Sequence, residues 1–487
     1  MPFTLGPFAD LGLDAALLRL LLEEHATSTR PRLERFWRYY RNPARWPGGP
    51  EAGRARLAQE AGLPARLTRS RPEADDRDTR REIVIENDIA WRIQSMVDFM
   101  FGRPVQIVST AADPALRAVI EQTLDAAWEA SGGISLLQDM ALLGHVYGHA
   151  DLILRQPAHF SSADPVQAVA ESLRIEVVEP TRGLPLLSAS DWRHIDAFII
   201  HFARPVNRAH HPSAVLRLLQ PGLEPTRARS TLTEVISARW RQVYEQSGAE
   251  PRLIESTPNT LTPGAIPVVH IQNMSQPFRY EGQGEVEPLI PLQDELNTRL
   301  SDRASRVTLQ SFKMYLAKGL SGFEKGPVGP GQIWSTDNPD AEIQAFGGDA
   351  ASPSEDSHIE QVREALDKTS AIPPLASGVV RARIGNLSSA NALRITLMGT
   401  LAKTARKRIT YGRGIAEMSR LILHALDHAA ILRTDPRDRN IRLVWADPIP
   451  EDTRDRVADA RAKQDLGVPP ERILAELGYG PSDPGVM

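Results

Sequence analysis

Two strongly helical segments flank a stretch that cannot be helical, and this arrangement limits the possible folds more than any other feature. From 285 to 307, leucines recur every three or four residues, and Pro288 and Pro291 are tolerated only in a first turn. A second helix is expected over 354–370, where acidic residues fill the first turn. The intervening 318–356 segment is rich in glycine and proline and holds two short strand candidates, GQIWS and AEIQAF. The sequence therefore predicts two helices with a small β insert between them.

The segments on either side of this pair are of mixed type. Apolar residues at helical spacing predominate up to about residue 146, and an extended VQIV follows Pro104. From 147 to 272, short runs of branched and aromatic residues are punctuated by Pro and Gly, which is typical of antiparallel strands. A long helix is expected from Ser388 to His428 with a kink near Gly412, followed by a strand and two short helices. The predicted fold class is therefore α+β.

The composition excludes several classes of protein. The 487 residues suffice for about two to four domains, and hydrophobic and charged contents of 41 % and 24 % are ordinary for a globular protein. No apolar window is long enough for a transmembrane helix, and the N-terminus is interpreted as an amphipathic helix and not as a signal peptide. The absence of cysteine excludes disulfides and thiolate metal sites. The net charge of −4 argues against a protein that coats DNA by bulk charge, but it permits a locally basic surface.

No constellation of catalytic or nucleotide-binding residues is evident. The chain lacks GxxxxGK[ST], GxSxG and HExxH motifs, and the cluster GPVGPG has prolines where phosphate-binding amides are needed. His145 and His149 stand four residues apart with Asp151 nearby, a spacing that could hold a metal on a helix. Because Gly144 and Gly148 should break that helix, we interpret both histidines as packed or surface residues. No enzyme activity, metal or cofactor is therefore expected.

One long segment in the second half is purely basic, although the whole chain is acidic. Between Asp367 and Glu417 there is no acidic residue, and eight basic residues lie between 381 and 413. At about 100° per residue, four of them share one side of the long helix. We call these four the basic stripe: Lys403, Arg406, Lys407 and Arg413. The opposite side is expected to be apolar and comprises Leu397, Met398, Leu401, Ala405, Ile409, Ile415 and Met418.

Three interpretations of the basic stripe stay open. The stripe suits weak, sequence-independent contact with the phosphates of a polyanion. It also fits a solvated helix face, or pairing with acidic residues of a neighbouring subunit such as those in SEDSHIEQVREALDK.

The order of these parts resembles the portal, or head-to-tail connector, proteins of tailed bacteriophages. ENDIAWRIQSMVDFMFGRPVQI is similar to the family's early helix and closing turn, and ALLGHVYGHADLIL to its helix-to-strand junction. IPVVHIQN followed by LIPLQDELNTRLSDRASRV resembles the strand-to-stem transition, and GPGQIWS with AEIQAF resembles the clip. SAIPPLASG with NLSSANALR resembles the tunnel loop entering its helix, and VWADPIPEDTRDRVADARAKQDLGVPPERILAELGY the C-terminal block. Each phrase is weak alone, but together they keep the family's order from about residue 80 to 480.

The resemblance implies a homo-oligomeric ring, typically of twelve subunits, at one capsid vertex of a virion, assembled in the host cytoplasm. Double-stranded DNA would pass through its axial channel during packaging and ejection, bound weakly and without sequence preference. The other implied partners are the terminase large subunit, the head–tail adaptor, and the major capsid and scaffolding proteins, with no membrane and no cofactor. Two other functions stay open: a DNA-processing accessory protein, and a non-viral scaffold that binds partners through 318–356.

The same resemblance implies a division of the chain and roles for particular residues. Residues 1–284 would form the wing, 285–312 and 354–371 two stem helices, 313–353 a small β clip, 372–428 the tunnel loop and long tunnel helix, and 429–487 a helical crown. In the tunnel loop, Arg381, Arg383 and Asn386 would lie nearest the DNA, with Gly378 and Gly385 as hinges. In the clip, Phe323, Trp334 and Phe346 would contact partner proteins, and the basic stripe would flank the channel.

Overall fold

The protein, seen in a computed structural model, combines helices with small antiparallel sheets, which confirms the α+β prediction. The structure describes residues 3–45, 55–68, 82–156, 163–205, 229–248, 250–311, 314–318, 339–346, 352–377, 390–449 and 453–477. Within these ranges, no helix combines the length and the apolar character that crossing a membrane requires.

The α-helices of the described residues follow in chain order. They are α1 (Ala15–Glu24), α2 (Arg30–Arg41), α3 (Ala65–Thr68), α4 (Asp88–Phe101), α5 (Pro114–Ala130), α6 (Gly133–Tyr147), α7 (Val166–Ser172), α8 (Ile290–Ser311), α9 (Pro353–Ser370), α10 (Ala390–Thr396), α11 (Met398–His428), α12 (Thr453–Asp465) and α13 (Pro470–Leu477). A turn of π-helix, His25–Thr29, joins α1 to α2, and a short 3-10 turn, Glu287–Leu289, precedes α8.

The strands are short, and the described ones pair antiparallel. They are β1 (Ala44–Arg45), β2 (Arg56–Leu57), β3 (Val105–Ser109), β4 (His149–Arg155), β5 (Arg174–Val178), β6 (Gly183–Leu187), β7 (Ile195–Pro205), β8 (Arg229–Ser237), β9 (Trp240–Gln246), β10 (Arg252–Pro258), β11 (Val268–Gln272), β12 (Met314–Lys318), β13 (Glu342–Phe346) and β14 (Ile441–Trp445). The prediction of antiparallel strands between 147 and 272 is confirmed by β4 to β11.

Tertiary packing divides the chain into two compact units, each assembled from separate stretches of sequence. Unit 1 comprises Met1–Arg35, Arg92–Glu285 and Ala371–Met487, and unit 2 comprises Phe36–Trp91 and Val286–Ser370. The chain therefore passes from one unit to the other four times.

Unit 1 holds three of the sheets formed by the described residues. Their strand orders are β10-β9-β8-β7-β6, β11-β4-β5 and β14-β3. Strand β4 is central in its sheet, and its Asp151 lies opposite both His270 of β11 and Val178 of β5. The strand expected after Pro104 is β3, and β14 closes it into a pair with Ser109 opposite Ile441.

The main core of unit 1 forms where α5, α6 and α11 cover the sheet of β4 and β11. Burying such branched and aromatic side chains is the principal source of stability for a unit of this kind. Its buried members include Trp128, Met140, Leu152, Ile271, Tyr411 and Met418. A second cluster seats the N-terminal segment on the five-stranded sheet, with Phe8 and Leu18 against Val235 and Tyr244.

The long helix α11 differs from its predicted course at two points. It begins at Met398 after an interruption at Leu397, and α10 precedes it as a separate short helix. The expected kink near Gly412 does not interrupt the helix, which continues to His428. Gly414 is needed for packing, because a Cβ at this position would overlap the side chain of Ile271 on β11.

Unit 2 contains the two helices that the sequence predicts around the insert, now α8 and α9, which contact each other. Of the two strand candidates in the insert, AEIQAF contains β13, whereas GQIWS lies outside the described residues. The partner of β13 is β12, with Met314 opposite Phe346. Strand β12 was not predicted, because MYLAK continues the polar–apolar spacing of the preceding helix and has no turn residue before it.

A buried amide network ties the N-terminal part of unit 2 to α8. The side chain of Gln59 donates from Nε2 to the Tyr39 carbonyl oxygen at 2.8 Å, and its Oε1 accepts from Asn297 Nδ2 at 2.9 Å. Gln293 on α8 accepts from the backbone of Asp88. Because buried polar groups are costly unless paired, this network fixes how residues 36–91 pack on the helix.

Candidate functional site

Several of the residues expected to carry function lie outside the described part of the chain. The loop residues Arg381, Arg383, Asn386, Gly378 and Gly385 lie outside the described residues. So do Phe323 and Trp334 of the expected clip, while Phe346 is described only as the last backbone position of β13. The roles of these eight residues therefore stay predictions.

The structure places two members of the basic stripe inside unit 1, which corrects the expectation that the stripe faces outward along its whole length. Lys407 is fully buried, and its Nζ lies 2.6 Å from Glu285 Oε1. Lys403 is 9 % exposed and pairs with Glu285 Oε2. Each carboxylate oxygen thus accepts from a different ammonium group, so these two lysines balance an internal charge.

Backbone contacts hold Glu285 beside the helix. Its amide donates to the carbonyl oxygen of His145 at 2.7 Å. Immediately before it, Gly282 and Gly284 cross Gly148, where a Cβ would overlap the Gly282 carbonyl and where φ is +99°. Glycine at this crossing allows the end of α6 and the segment leading to Glu285 to approach closely.

The electrostatics of this cluster follow from burial and from the ratio of two lysines to one carboxylate. Burial alone would raise the pKa of the Glu285 carboxyl, but Lys407 and Lys403 outweigh burial and the pKa is lowered. Burial lowers the pKa of Lys407, and repulsion from Lys403 lowers it further. Glu285 raises this pKa, but not enough to offset burial. Burial, with Lys407 nearby, holds the pKa of His145 well below its ordinary value, so the imidazole is neutral.

Tyr411 extends the same buried contact by one helical turn. Its ring is fully buried and its hydroxyl donates to Asn273 Oδ1 at 3.0 Å. The backbone amide of Asn273 donates to the Gly148 carbonyl oxygen at 2.8 Å. The segment from Asn273 to Glu285 is therefore fixed to α11 at both of its ends, and Val286 is the first residue of unit 2.

The outer face of α11 is not the one expected from the sequence. Arg406 and Arg413 of the basic stripe are exposed, as predicted for a stripe that faces outward. Met398 and Ile409, assigned to the apolar side, are also exposed, at 67 % and 64 %. The helix is rotated relative to the prediction because the Lys403–Lys407 side turns inward to meet Glu285. Leu397, Ile415 and Met418 are buried as expected, whereas Ala405 is exposed and Leu401 is partly exposed.

The paired histidines are packed residues, as predicted, although the helix continues through Gly144 and ends only at Gly148. His149 is buried beside a network in which Asp151 Oδ1 accepts from His270 Nδ1 at 2.7 Å and from the Tyr280 hydroxyl at 2.6 Å. The other nitrogen of His270 lies 2.7 Å from the Tyr280 carbonyl oxygen. A carboxylate and a carbonyl both accept hydrogen bonds, so the ring of His270 lies between two acceptors.

Sequence reasoning missed Glu285, His270 and Tyr280. None belongs to a motif, and each meets its partners only through pairing of distant segments, as when β11 places His270 opposite Asp151. Among the described residues, no group of three or more His, Cys, Asp or Glu side chains is arranged to hold a metal ion.

Two helices around the β12–β13 pair, with a long helix that carries basic residues further along the chain, keep the order that the sequence resemblance implied. The chain matches the phage portal protein family, SPP1 Gp6-like, over residues 20–478. It belongs to this family and is a portal, or head–tail connector, protein, a component of the virion. The resemblance noted from the sequence is thereby confirmed.

The solved structures that the chain is similar to include two from gene transfer agent particles. One is the "Virion of native gene transfer agent (GTA) particle", 12 % identical, with a TM-score of 0.42 over 80 % of this chain and 89 % of that one. Another is the "Neck of empty GTA particle computed with C6 symmetry", also 12 % identical, with a TM-score of 0.43 over 81 % of this chain and 91 % of that one. No curated protein matches the chain.

Proposed function

We propose that this portal protein forms a closed ring at one capsid vertex and that double-stranded DNA passes through the ring during packaging and ejection. The observation that carries this proposal is the family match, which spans nearly the whole chain. In this proposal, 285–312 and 354–371 form the stem, and the clip at 313–353 docks the terminase and later the head–tail adaptor. The role is structural: DNA movement is driven by a separate motor, and the portal itself catalyses no reaction.

The DNA contact is assigned to the loop that precedes α10. Lys403 and Lys407 are buried and paired with Glu285, so neither lysine is available to phosphates. In this proposal, Arg381 and Arg383 supply the positive charge nearest the axis, with Gly378 and Gly385 as hinges. A few arginines per subunit favour weak contact, because every neutralised phosphate adds affinity that would slow translocation.

The first test is the mass of the purified particle together with negative-stain images. A ring of about a dozen subunits with an axial hole is the expected result, whereas a chain that stays monomeric at all concentrations and salt conditions would contradict the proposal.

The second test is the double variant Arg381→Ala/Arg383→Ala. We expect intact rings, reduced DNA packaging, and a shallower dependence of DNA affinity on salt, by about 0.9 in log–log slope for each phosphate that the loop no longer neutralises. Arg103→Ala/Arg437→Ala, two exposed arginines elsewhere in unit 1, serves as the matched control and should change neither quantity. Equal salt slopes for the loop variant and the control would show that Arg381 and Arg383 do not contact DNA.

A further inference from the structure

We infer that the outer face of α11, from Met398 to Arg413, is a subunit contact, and that it packs on the acidic face of α5 in a second copy of the chain. This inference rests on the proposed ring and names the surfaces that would close it.

The outer face of α11 combines apolar side chains with two arginines. Its exposed residues recur at helical spacing and are Met398, Gly399, Ala402, Ala405, Arg406, Ile409 and Arg413. Ile395, just before the helix, is 71 % exposed and adds to the same concentration of apolar surface. Exposed apolar groups of this size point to a protein partner, since DNA backbones are contacted mainly by polar and basic side chains.

Arg406 and Arg413 are available for a partner. Other arginines of this region are satisfied within the chain: Arg394 pairs with Asp447 at 2.8 Å, and Arg408 lies over the Trp445 ring at 5.1 Å. Neither Arg406 nor Arg413 forms an ion pair with any described residue. Seven residues apart on a helix, the two cations are separated by about 10 Å along its axis.

Helix α5 carries the complementary charge. Glu121, Asp125 and Glu129 recur every fourth residue, and none of them pairs with a basic side chain among the described residues. Burial raises the pKa of Asp125, and the negative charges of Glu121 and Glu129 raise it further, as expected where acids face one another without a cation. The three acids span about 12 Å, close to the separation of the two arginines.

The two faces belong to one unit but do not meet within it. Helix α5 contacts α11 through Trp128, whose Nε1 donates to Ser419 Oγ at 3.2 Å, beyond the Met398–Arg413 face. Two different and complementary faces on one subunit define a heterologous contact, in which each copy offers α11 to one neighbour and α5 to the other. Such contacts generate closed rings when the rotation between neighbours divides a full turn.

The test uses one apolar and two charge variants of the full chain, with the wild type measured alongside. Ile409→Asp should raise the concentration for half-assembly at least about tenfold, because it removes an apolar contact and buries a charge. Leu466→Asp, at an 83 % exposed position at the end of α12, is its matched control and should assemble like wild type. Light scattering and native mass spectrometry report assembly, and circular dichroism with urea midpoints reports folding.

The charge variants separate this contact from DNA binding. Arg406→Glu/Arg413→Glu and Asp125→Arg/Glu129→Arg should each fail to form rings alone. Mixed together, they should assemble, because every contact in an alternating ring then joins opposite charges. Arg103→Glu/Arg437→Glu controls for net charge.

Two outcomes overturn the inference. One is a normal ring from Ile409→Asp or from either charge variant. This includes a variant that assembles like wild type and only binds DNA more weakly. Another is failure of the mixture to assemble when both variants are folded. A wild-type chain that never forms rings would instead overturn the proposed function on which the inference rests.

Discussion

Replacing Glu285 by glutamine should be among the most damaging single substitutions in unit 1. The change keeps the size of the side chain. It removes the negative charge that pairs with Lys403 and Lys407. Lys407 would then be a fully buried ammonium group without a carboxylate beside it. Removing one partner of a buried ion pair costs about 3–5 kcal/mol of folding free energy, because the remaining charge has lost its compensation. Glu285→Gln should therefore lower the free energy of unfolding by that amount.

The matched variant is Lys407→Met, which removes a cation of the cluster where Glu285→Gln removes the anion. Methionine has a similar length and no charge, and Glu285 keeps its pairing with Lys403. A buried charge is costly when its partner is removed, but here Glu285 has two cationic partners, and Lys407→Met removes the excess cation while one complete pair remains. We expect Lys407→Met to change stability by less than about 1 kcal/mol. Urea denaturation followed by tryptophan fluorescence, at one protein concentration, compares the two variants.

A pH series provides an independent check on Lys407. Its pKa is lower in the folded protein than in the unfolded chain, so the unfolded state binds more protons in the alkaline range. Wild-type stability should therefore rise with pH between the lowered pKa and the ordinary lysine value of about 10.4, and Lys407→Met should lack this rise. If Glu285→Gln costs no more than Lys407→Met, or if both show the wild-type pH dependence, the ion cluster does not stabilise the fold in the way described.

Three further predictions concern the surroundings of this cluster. Burial lowers the pKa of His149 to about 4. Wild-type stability should therefore fall as pH drops from about 6.5 towards 4, and this residue should account for roughly 3 kcal/mol of the fall. Urea midpoints at several pH values should show a weaker fall for His149→Gln. Gly148→Ala should cost about 2–4 kcal/mol, because it places a side chain at positive φ against the Gly282 carbonyl; Gly6→Ala, in open space, is the control, and equal urea midpoints for the two would contradict the close crossing. Tyr411→Phe should cost about 1–2 kcal/mol by leaving Asn273 Oδ1 unpaired, measured in the same way, and an unchanged midpoint would show that this oxygen finds another donor.

Local patterns predicted most elements of the fold and little of the cluster around Glu285. Helices α8 and α9 and strands β3 and β14 follow from periodicity and from proline and glycine positions, which act over a few residues. Strand β12 was missed because its sequence carries no such signal.

The side of α11 that faces inward could not be predicted for a different reason. Placing Lys403 and Lys407 outward is the better choice for an isolated amphipathic helix, since lysine is rarely buried. The choice reverses only because Glu285, more than a hundred residues earlier, meets both ammonium groups. A long-range ion pair of this kind leaves no trace in local spacing. The histidines at 145 and 149 are packed as expected, but Gly144 does not break α6, and the two residues are separated because His149 begins β4 after the helix ends at Gly148.

The pairing of β3 with β14 has a consequence for synthesis of the chain on the ribosome. The two strands lie roughly 330 residues apart in sequence. At about 5–20 residues per second, β14 emerges tens of seconds after β3. Throughout that interval, β3 lacks the strand with which it pairs, and for most of it α11, which completes the main core of unit 1, is also absent. Nascent chains should therefore expose an open strand edge and apolar surface until the last part of the chain is made, and a chaperone that covers such surfaces during translation should increase the yield of soluble protein.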